Sequence, residues 1–185
     1  MTFLLAQIFG IIALILVAIS YFINKKSTFL IFQVIADFFY ALAYLVVDAW
    51  SAGIITLISL IRCIYLYVAD KKNYKNTLPI LMIFVSLFAL TTILFWKTPF
   101  DFIPLITSTL FTFGYEIKNM QIMRYVLLIP NTLLVIYNIL ITTYASAVLD
   151  FMEVVVILVA IIKFYLNNRK KNETKNFPND NSLND

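Results

Sequence analysis

Seven long apolar runs decide what this chain can fold into. They lie roughly at Phe3 to Ile23, Phe29 to Val47, Ala52 to Val68, Leu78 to Phe95, Phe102 to Ile117, Tyr125 to Thr142 and Ser146 to Leu166. Each comes near the ~20 residues, range ~17 to 25, that an α-helix needs to cross the hydrocarbon of a bilayer. Strands of a membrane barrel would alternate over about 10 residues, and these runs do not alternate. Composition agrees: 62% of residues are hydrophobic and 13% charged, against roughly 45 to 50% and about 25% in a soluble domain. The expected fold is all-α, a seven-helix transmembrane bundle, and soluble globular folding is excluded.

Charge placement orients the bundle. Of 14 basic residues, 12 fall in alternate connections or at the C-terminal end, one is Lys97 in the opposite set, and one, Arg62, lies inside the third run. Lys and Arg near helix ends stay cytoplasmic, so the N-terminus is expected outside and the C-terminus inside. The first run is read as a retained helix: nothing basic precedes it, no small-residue cleavage site follows it, and Lys25 and Lys26 come after it. Residues 167–185, rich in Asn, Lys, Asp and Glu, are expected to form a disordered cytoplasmic tail, having too little apolar surface to order themselves. The net charge of +4 follows from this orientation and points to no nucleic-acid site; the expected partners are the lipid bilayer and a small polar solute, with a homo-oligomer compatible.

Shifting the chain by 94 residues lays the first three runs on the last three without a gap. Tyr21 falls on Tyr115, Asp37 on Asn131, Trp50 on Tyr144 and Ser59 on Glu153. Identity is near chance; length, connection placement and buried polar positions are what match. The expectation is two parallel three-helix repeats joined by a linker helix: residues 1–69, a linker at 70–99, and residues 100–166. The fourth run suits the linker role because it has Ser86, Thr91 and Thr92 but no charge. In repeat-built transporters the solute site lies at the repeat interface near the midplane.

The polar residues inside the runs are the clue to function. Gln33, Asp37, Tyr40, Tyr44 and Asp48 recur at spacings of four, three, four and four, which puts them on one face of a helix. Asp37 and Arg62 both lie about 14 to 16 Å below the outer boundary at 1.5 Å per residue, so a contact between them is geometrically available. An unpaired charge at the membrane centre costs at least ~2.5 kcal/mol, so a partner or a wet cavity is expected. The pair is either a structural ion pair or part of a cavity lining; the polar stripe that continues through Ser59 favours the lining. In the last run, Ser146, Asp150 and Glu153 repeat the spacing, and Glu153 either shares Arg62, couples to a proton or stays solvated in an outer vestibule. The sixth run carries Asn131 and Asn138 on one face, with Pro130 as a candidate hinge because it removes a backbone bond. Trp96 is assigned to the interfacial belt, whereas Trp50, beside the ladder, is a candidate for stacking on a solute.

Enzyme chemistry finds little support. The chain has no His, three glycines and one cysteine, Cys63, which excludes a His-based triad and a Cys-based zinc site, and no glycine loop suits a phosphate. No cofactor and no metal are expected.

The turn Asp48-Ala49-Trp50-Ser51-Ala52-Gly53 with Ile61-Arg62, the run Pro99-Phe100-Asp101-Phe102-Ile103-Pro104, Met123-Arg124, Tyr137-Asn138, Glu153 and Ile162-Lys163-Phe164-Tyr165 resemble the bacterial inner-membrane family called YgjV. The resemblance covers nearly the whole chain except the tail, and implies bacterial inner-membrane residence rather than any activity. It suggests His on the second and sixth helices where this chain has Tyr or Ala, so no His-based mechanism carries over. The three-one-three plan is also similar at the level of fold to the sugar-transporting SWEET and vitamin-transporting PnuC proteins, although the Pro-Gln signature of their PQ-loop relatives is missing. Fold analogy is weak ground for function. The expected function is transport of a small polar, sugar- or vitamin-like solute through a cavity lined by the second, third, sixth and seventh helices. The expected binding residues are Gln33, Asp37, Tyr40, Tyr44, Trp50, Ser59, Arg62, Asn131, Asn138 and Glu153. The alternative is a non-transporting helical module for assembly or ligand sensing.

Overall fold

A computed structural model describes residues 2–74, 76–96 and 98–176. Among them are seven α-helices: α1 (Thr2–Tyr21), α2 (Lys26–Val46), α3 (Trp50–Lys72), α4 (Leu78–Leu94), α5 (Phe102–Gly114), α6 (Met120–Leu140) and α7 (Tyr144–Asn176). A single 3-10 turn, Pro99–Asp101, leads into α5. Four helices are long and apolar enough to cross a membrane, namely α1, α2, α3 and α6, and α4 is a shorter apolar helix. The 13 residues of α5 reach only about 20 Å at 1.5 Å per residue, short of the ~30 Å hydrocarbon. Its apolar run is longer than its helix because Pro99–Asp101 winds as 3-10 and Tyr115 and Glu116 turn out of the helix.

The tail expectation is corrected in part. Residues 167–176 continue α7, because Arg, Lys and Glu are good helix formers and an existing helix grows without needing a core. Residues 177–185, the remainder of the expected disordered tail, lie outside the described residues.

Helices adjacent in sequence pack on one another, and α7 returns to pack on α1, closing the bundle. The turns that join α2 to α3 and α6 to α7 are closed in the same way. Asp48 and Thr142 take left-handed backbone, with φ of 57° and 61°. Ala49 N donates to Tyr44 O at 3.0 Å, and Thr143 N to Asn138 O at 2.8 Å, satisfying carbonyls that a helix end leaves open.

Apolar side chains sort to two places. Ile8, Ile11, Ile15 and Ile19 are exposed along one face of α1, as are Met82, Ile83, Leu90 and Ile93 on α4; in a bilayer these faces meet acyl chains, so their exposure needs no protein partner. The buried core, with Phe29, Leu30, Leu66, Leu81, Met123, Leu127 and Ile157, interlocks partly through rings: Phe29 meets Tyr115 edge-on at 5.5 Å and Tyr21 at 5.9 Å. Close approach matters at Gly114, where an added Cβ would come within 2.8 Å of Leu127 Cδ2. That contact lets α5 lie against α6.

Two cross-braces hold the core end of the bundle. Lys26, 8% exposed, donates to Glu116 O at 2.7 Å and lies 3.9 Å from Glu116 Oε2. Arg124, 1% exposed, donates from Nε to Tyr21 O at 2.8 Å and from Nη2 to Ile23 O and Asn24 Oδ1 at 3.0 Å. Each cation therefore sits at the C-terminal end of another helix, α5 or α1, where unpaired carbonyls and the helix dipole favour positive charge.

Candidate functional site

A cavity of about 460 Å³ runs along the axis of the bundle. Its walls come from α1, α2, α3, α5, α6 and α7, and no described residue of α4 contributes. The wall therefore includes α1 and α5 beyond the four helices expected. Volume in this range suits a small molecule.

At one end a polar floor closes it. Tyr21, Gln33, Arg62, Tyr115 and Asn131 are each 5% exposed or less and line the cavity. All but Arg62 are joined in pairs by side-chain bonds that cross between these helices. Gln33 Nε2 donates to Ser20 Oγ at 2.9 Å, Tyr115 OH donates to Gln33 Oε1 at 3.3 Å, and Asn131 Nδ2 donates to Tyr21 OH at 3.4 Å. Bonds of this kind are needed where buried polar groups lack water.

Above the floor the carboxyl groups appear. Asp37 faces the cavity from α2, and its Oδ2 is buried with no hydrogen-bond partner. Glu153 Oε1 accepts from Tyr40 OH at 3.1 Å. Asn138 Nδ2 donates to Asp150 Oδ2 at 2.6 Å, and Thr143 Oγ1 donates to Asn138 Oδ1 at 2.7 Å. Toward the α2–α3 and α6–α7 turns the lining residues Tyr44, Thr56 and Asp150 are partly exposed and Ser146 is exposed. The cavity is thus closed at the core end and accessible from the other.

The geometrically available contact between Asp37 and Arg62 is not made. Arg62 Nη1 donates instead to Thr112 Oγ1 at 3.0 Å and Ser108 O at 3.3 Å on α5. Its guanidinium lies 5.1 Å from the Tyr115 ring and 5.5 Å from the Phe88 ring, within the range of a cation–π contact. Arg62 Nε, like Asp37 Oδ2, has no hydrogen-bond partner. Equal depth placed the two residues correctly on the cavity, but depth says nothing about which way a long side chain turns.

Nine of the ten expected binding residues line the one cavity: Gln33, Asp37, Tyr40, Tyr44, Ser59, Arg62, Asn131, Asn138 and Glu153. Trp50 does not. It is 58% exposed and outside the lining, because as the first residue of α3 it projects from the rim, where an indole suits the interface. Pro130 is buried inside α6, which continues on both sides of it. Tyr21, Tyr115, Tyr137 and Asp150 also line the cavity and were missing from the expected set. The pairing of Tyr21 with Tyr115 at the offset of 94 residues, and the spacing of Asp150 before Glu153, were the signals for three of them.

A bundle of apolar helices around an internal cavity with polar groups in its wall, closed at one end, defines an integral membrane protein. The chain belongs to the Imp-YgjV family of bacterial inner membrane proteins, which it matches over residues 4–168. It therefore resides in the bacterial inner membrane, with its helices in contact with the bilayer. The resemblance drawn from its Asp48 to Gly53 turn and its Pro99 to Pro104 run is confirmed. Neither the curated proteins nor the solved structures contain a match.

Proposed function

We propose that this protein transports a small polar solute, of sugar or vitamin size, across the inner membrane. The observation that carries the reading is the cavity itself: polar side chains from six helices surround about 460 Å³, and Asp37 and Arg62 face it without closing on each other. A purely structural role would instead fill the axis with Phe, Leu and Ile around a closed ion pair. Leaving a carboxyl without a countercharge at this depth is costly, and a polar occupant offsets that cost.

In this reading the bundle is two three-helix repeats around α4, with the N-terminus outside. Support comes from the offset of 94 residues. It maps the first and last residues of α2 onto those of α6 and the start of α3 onto that of α7. It also relates the left-handed residues Asp48 and Thr142 and the floor residues Tyr21 and Tyr115. Basic residues near the floor end, Lys26 and Lys118 among them, give that end the cytoplasmic assignment. The accessible end then opens outward, and Pro130 serves as the hinge when access alternates.

The test is uptake by a strain lacking the protein and by the same strain re-expressing it, over sugars, vitamins, amino acids and amines. Re-expression restores uptake of at least one class; Ser59→Trp, which fills the cavity, abolishes it, and Ile83→Trp on the lipid-facing side of α4 leaves it. If no solute enters faster on re-expression, or Ser59→Trp has no effect, the transport reading is wrong.

A further inference from the structure

We propose that the solute is a small organic cation, an amine or ammonium compound, an inference that rests on the transport reading above and names its substrate class. The argument is a count of charge. Tyrosines aside, the ionisable side chains lining the cavity are Asp37, Asp150, Glu153 and Arg62: three carboxyls and one guanidinium. The guanidinium is already engaged, by Thr112, the Ser108 carbonyl and the faces of two rings. None of the three carboxyls forms an ion pair with it.

The carboxyl groups of the lining residues are thinly held. Asp37 Oδ2 has no hydrogen-bond partner, Glu153 receives Tyr40 OH, and Asp150 receives the Asn138 amide. Carboxyls inside a membrane demand a countercharge or water, and the protein supplies one cation for three. An arriving ammonium group lessens that deficit, and its N–H groups or methyls can lie among oxygens from α2 and α7 at once. A neutral sugar would satisfy hydrogen bonds but bring no countercharge; an anion would face three carboxyls.

The rest of the wall suits the same guest. Tyr40, Tyr44 and Tyr137 line the cavity, and aromatic faces attract ammonium groups through the ring quadrupole, most strongly where water is scarce. Asn131, Asn138 and Ser59 provide neutral hydrogen-bonding groups for the polar remainder of the molecule. The distribution along the axis is also consistent: Arg62 lies in the buried floor, whereas Asp150 and Glu153 stand nearer the α6–α7 turn at the accessible end.

Thiol modification tests this without knowing the solute. Cys63 is fully buried, so the parent protein gives a quiet background, and Ser59→Cys places a thiol in the cavity wall. Purified full-length protein in detergent is treated with trimethylammonioethyl methanethiosulfonate, itself a small organic cation, and with the anionic sulfonatoethyl reagent. The ratio of the two rates is compared with that for free mercaptoethanol. We expect the cation to be favoured by about tenfold or more over the free-thiol ratio, the effect of a cleft whose charge focuses ions of opposite sign. That preference falls toward the free-thiol ratio in Asp37→Asn combined with Glu153→Gln. Thr56→Cys repeats the measurement should Ser59→Cys fail to give a monodisperse protein. A ratio at or below that of the free thiol, or one unmoved by the double substitution, overturns the cation proposal while leaving the transport reading intact. No reaction at either cysteine with either reagent shows a sealed cavity and overturns both.

Discussion

Replacing Arg124 by Met should cost the protein about 3 kcal/mol of stability. The Arg124 side chain is 1% exposed and bridges the end of α1 with three hydrogen bonds, to Tyr21 O, Ile23 O and Asn24 Oδ1. Methionine keeps much of the length and volume but no donor. A hydrogen bond to a charged group contributes ~1.5 to 3 kcal/mol, and a buried carbonyl left unpaired costs ~1 to 3. Three such bonds sum to more than 3 kcal/mol, but two offsets apply. Asn24 is exposed, so water replaces its bond, and removing a buried cation relieves its desolvation. The bond to Tyr21 O is fully buried and carries most of the loss. Unfolding in mixed micelles of dodecyl sulfate and a mild detergent, followed by circular dichroism, gives the free-energy difference. Arg124→Lys, with one point donor in place of a fork, should fall between wild type and Met. A Met variant within about 0.5 kcal/mol of wild type, the ordinary scatter of a surface change, would refute the claim that Arg124 braces α1 against α6.

Three further outcomes are expected. Thr142→Gly should stabilise by about 0.5 to 1 kcal/mol, since Thr142 holds φ at 61°, a region that costs a non-glycine residue of order 1 kcal/mol; the same unfolding assay reads it. Gly114→Val should destabilise by about 1 to 3 kcal/mol, because even a Cβ meets Leu127 Cδ2 at 2.8 Å in a site where overpacking is felt; a neutral result would show α5 free to move off α6. Trp50→Ala should leave uptake of the transported solute within twofold of wild type, as the residue lies outside the cavity lining; a large loss would return Trp50 to the site.

The hydropathy runs located every helix, because bilayer burial makes long apolar segments and little else. Boundaries were less legible: α2 begins at Lys26 rather than Phe29 and α6 at Met120 rather than Tyr125, since Lys26 and Arg124 are polar yet buried at the ends of other helices. The spacing of Gln33, Asp37, Tyr40 and Tyr44 gave the cavity face of α2 directly, as periodicity fixes azimuth on a single helix. Partnerships across helices were beyond it. Arg62 reaches Thr112 on α5, 50 positions away, and no pattern within α3 encodes that direction. Trp50 failed for the opposite reason: nearness in sequence to the ladder does not carry a residue from the rim to the wall.

The polar floor also sets how the cavity can wet. Were it a plug of leucine and phenylalanine, parting it would expose apolar surface to water, a penalty growing with every square ångström. Tyr21, Gln33, Tyr115 and Asn131 instead hold one another by amide and phenol bonds, and a water molecule can take either side of each bond with little change in energy. As the helices separate, the barrier becomes one of geometry rather than of hydration, and a passing solute meets groups able to exchange one partner for another.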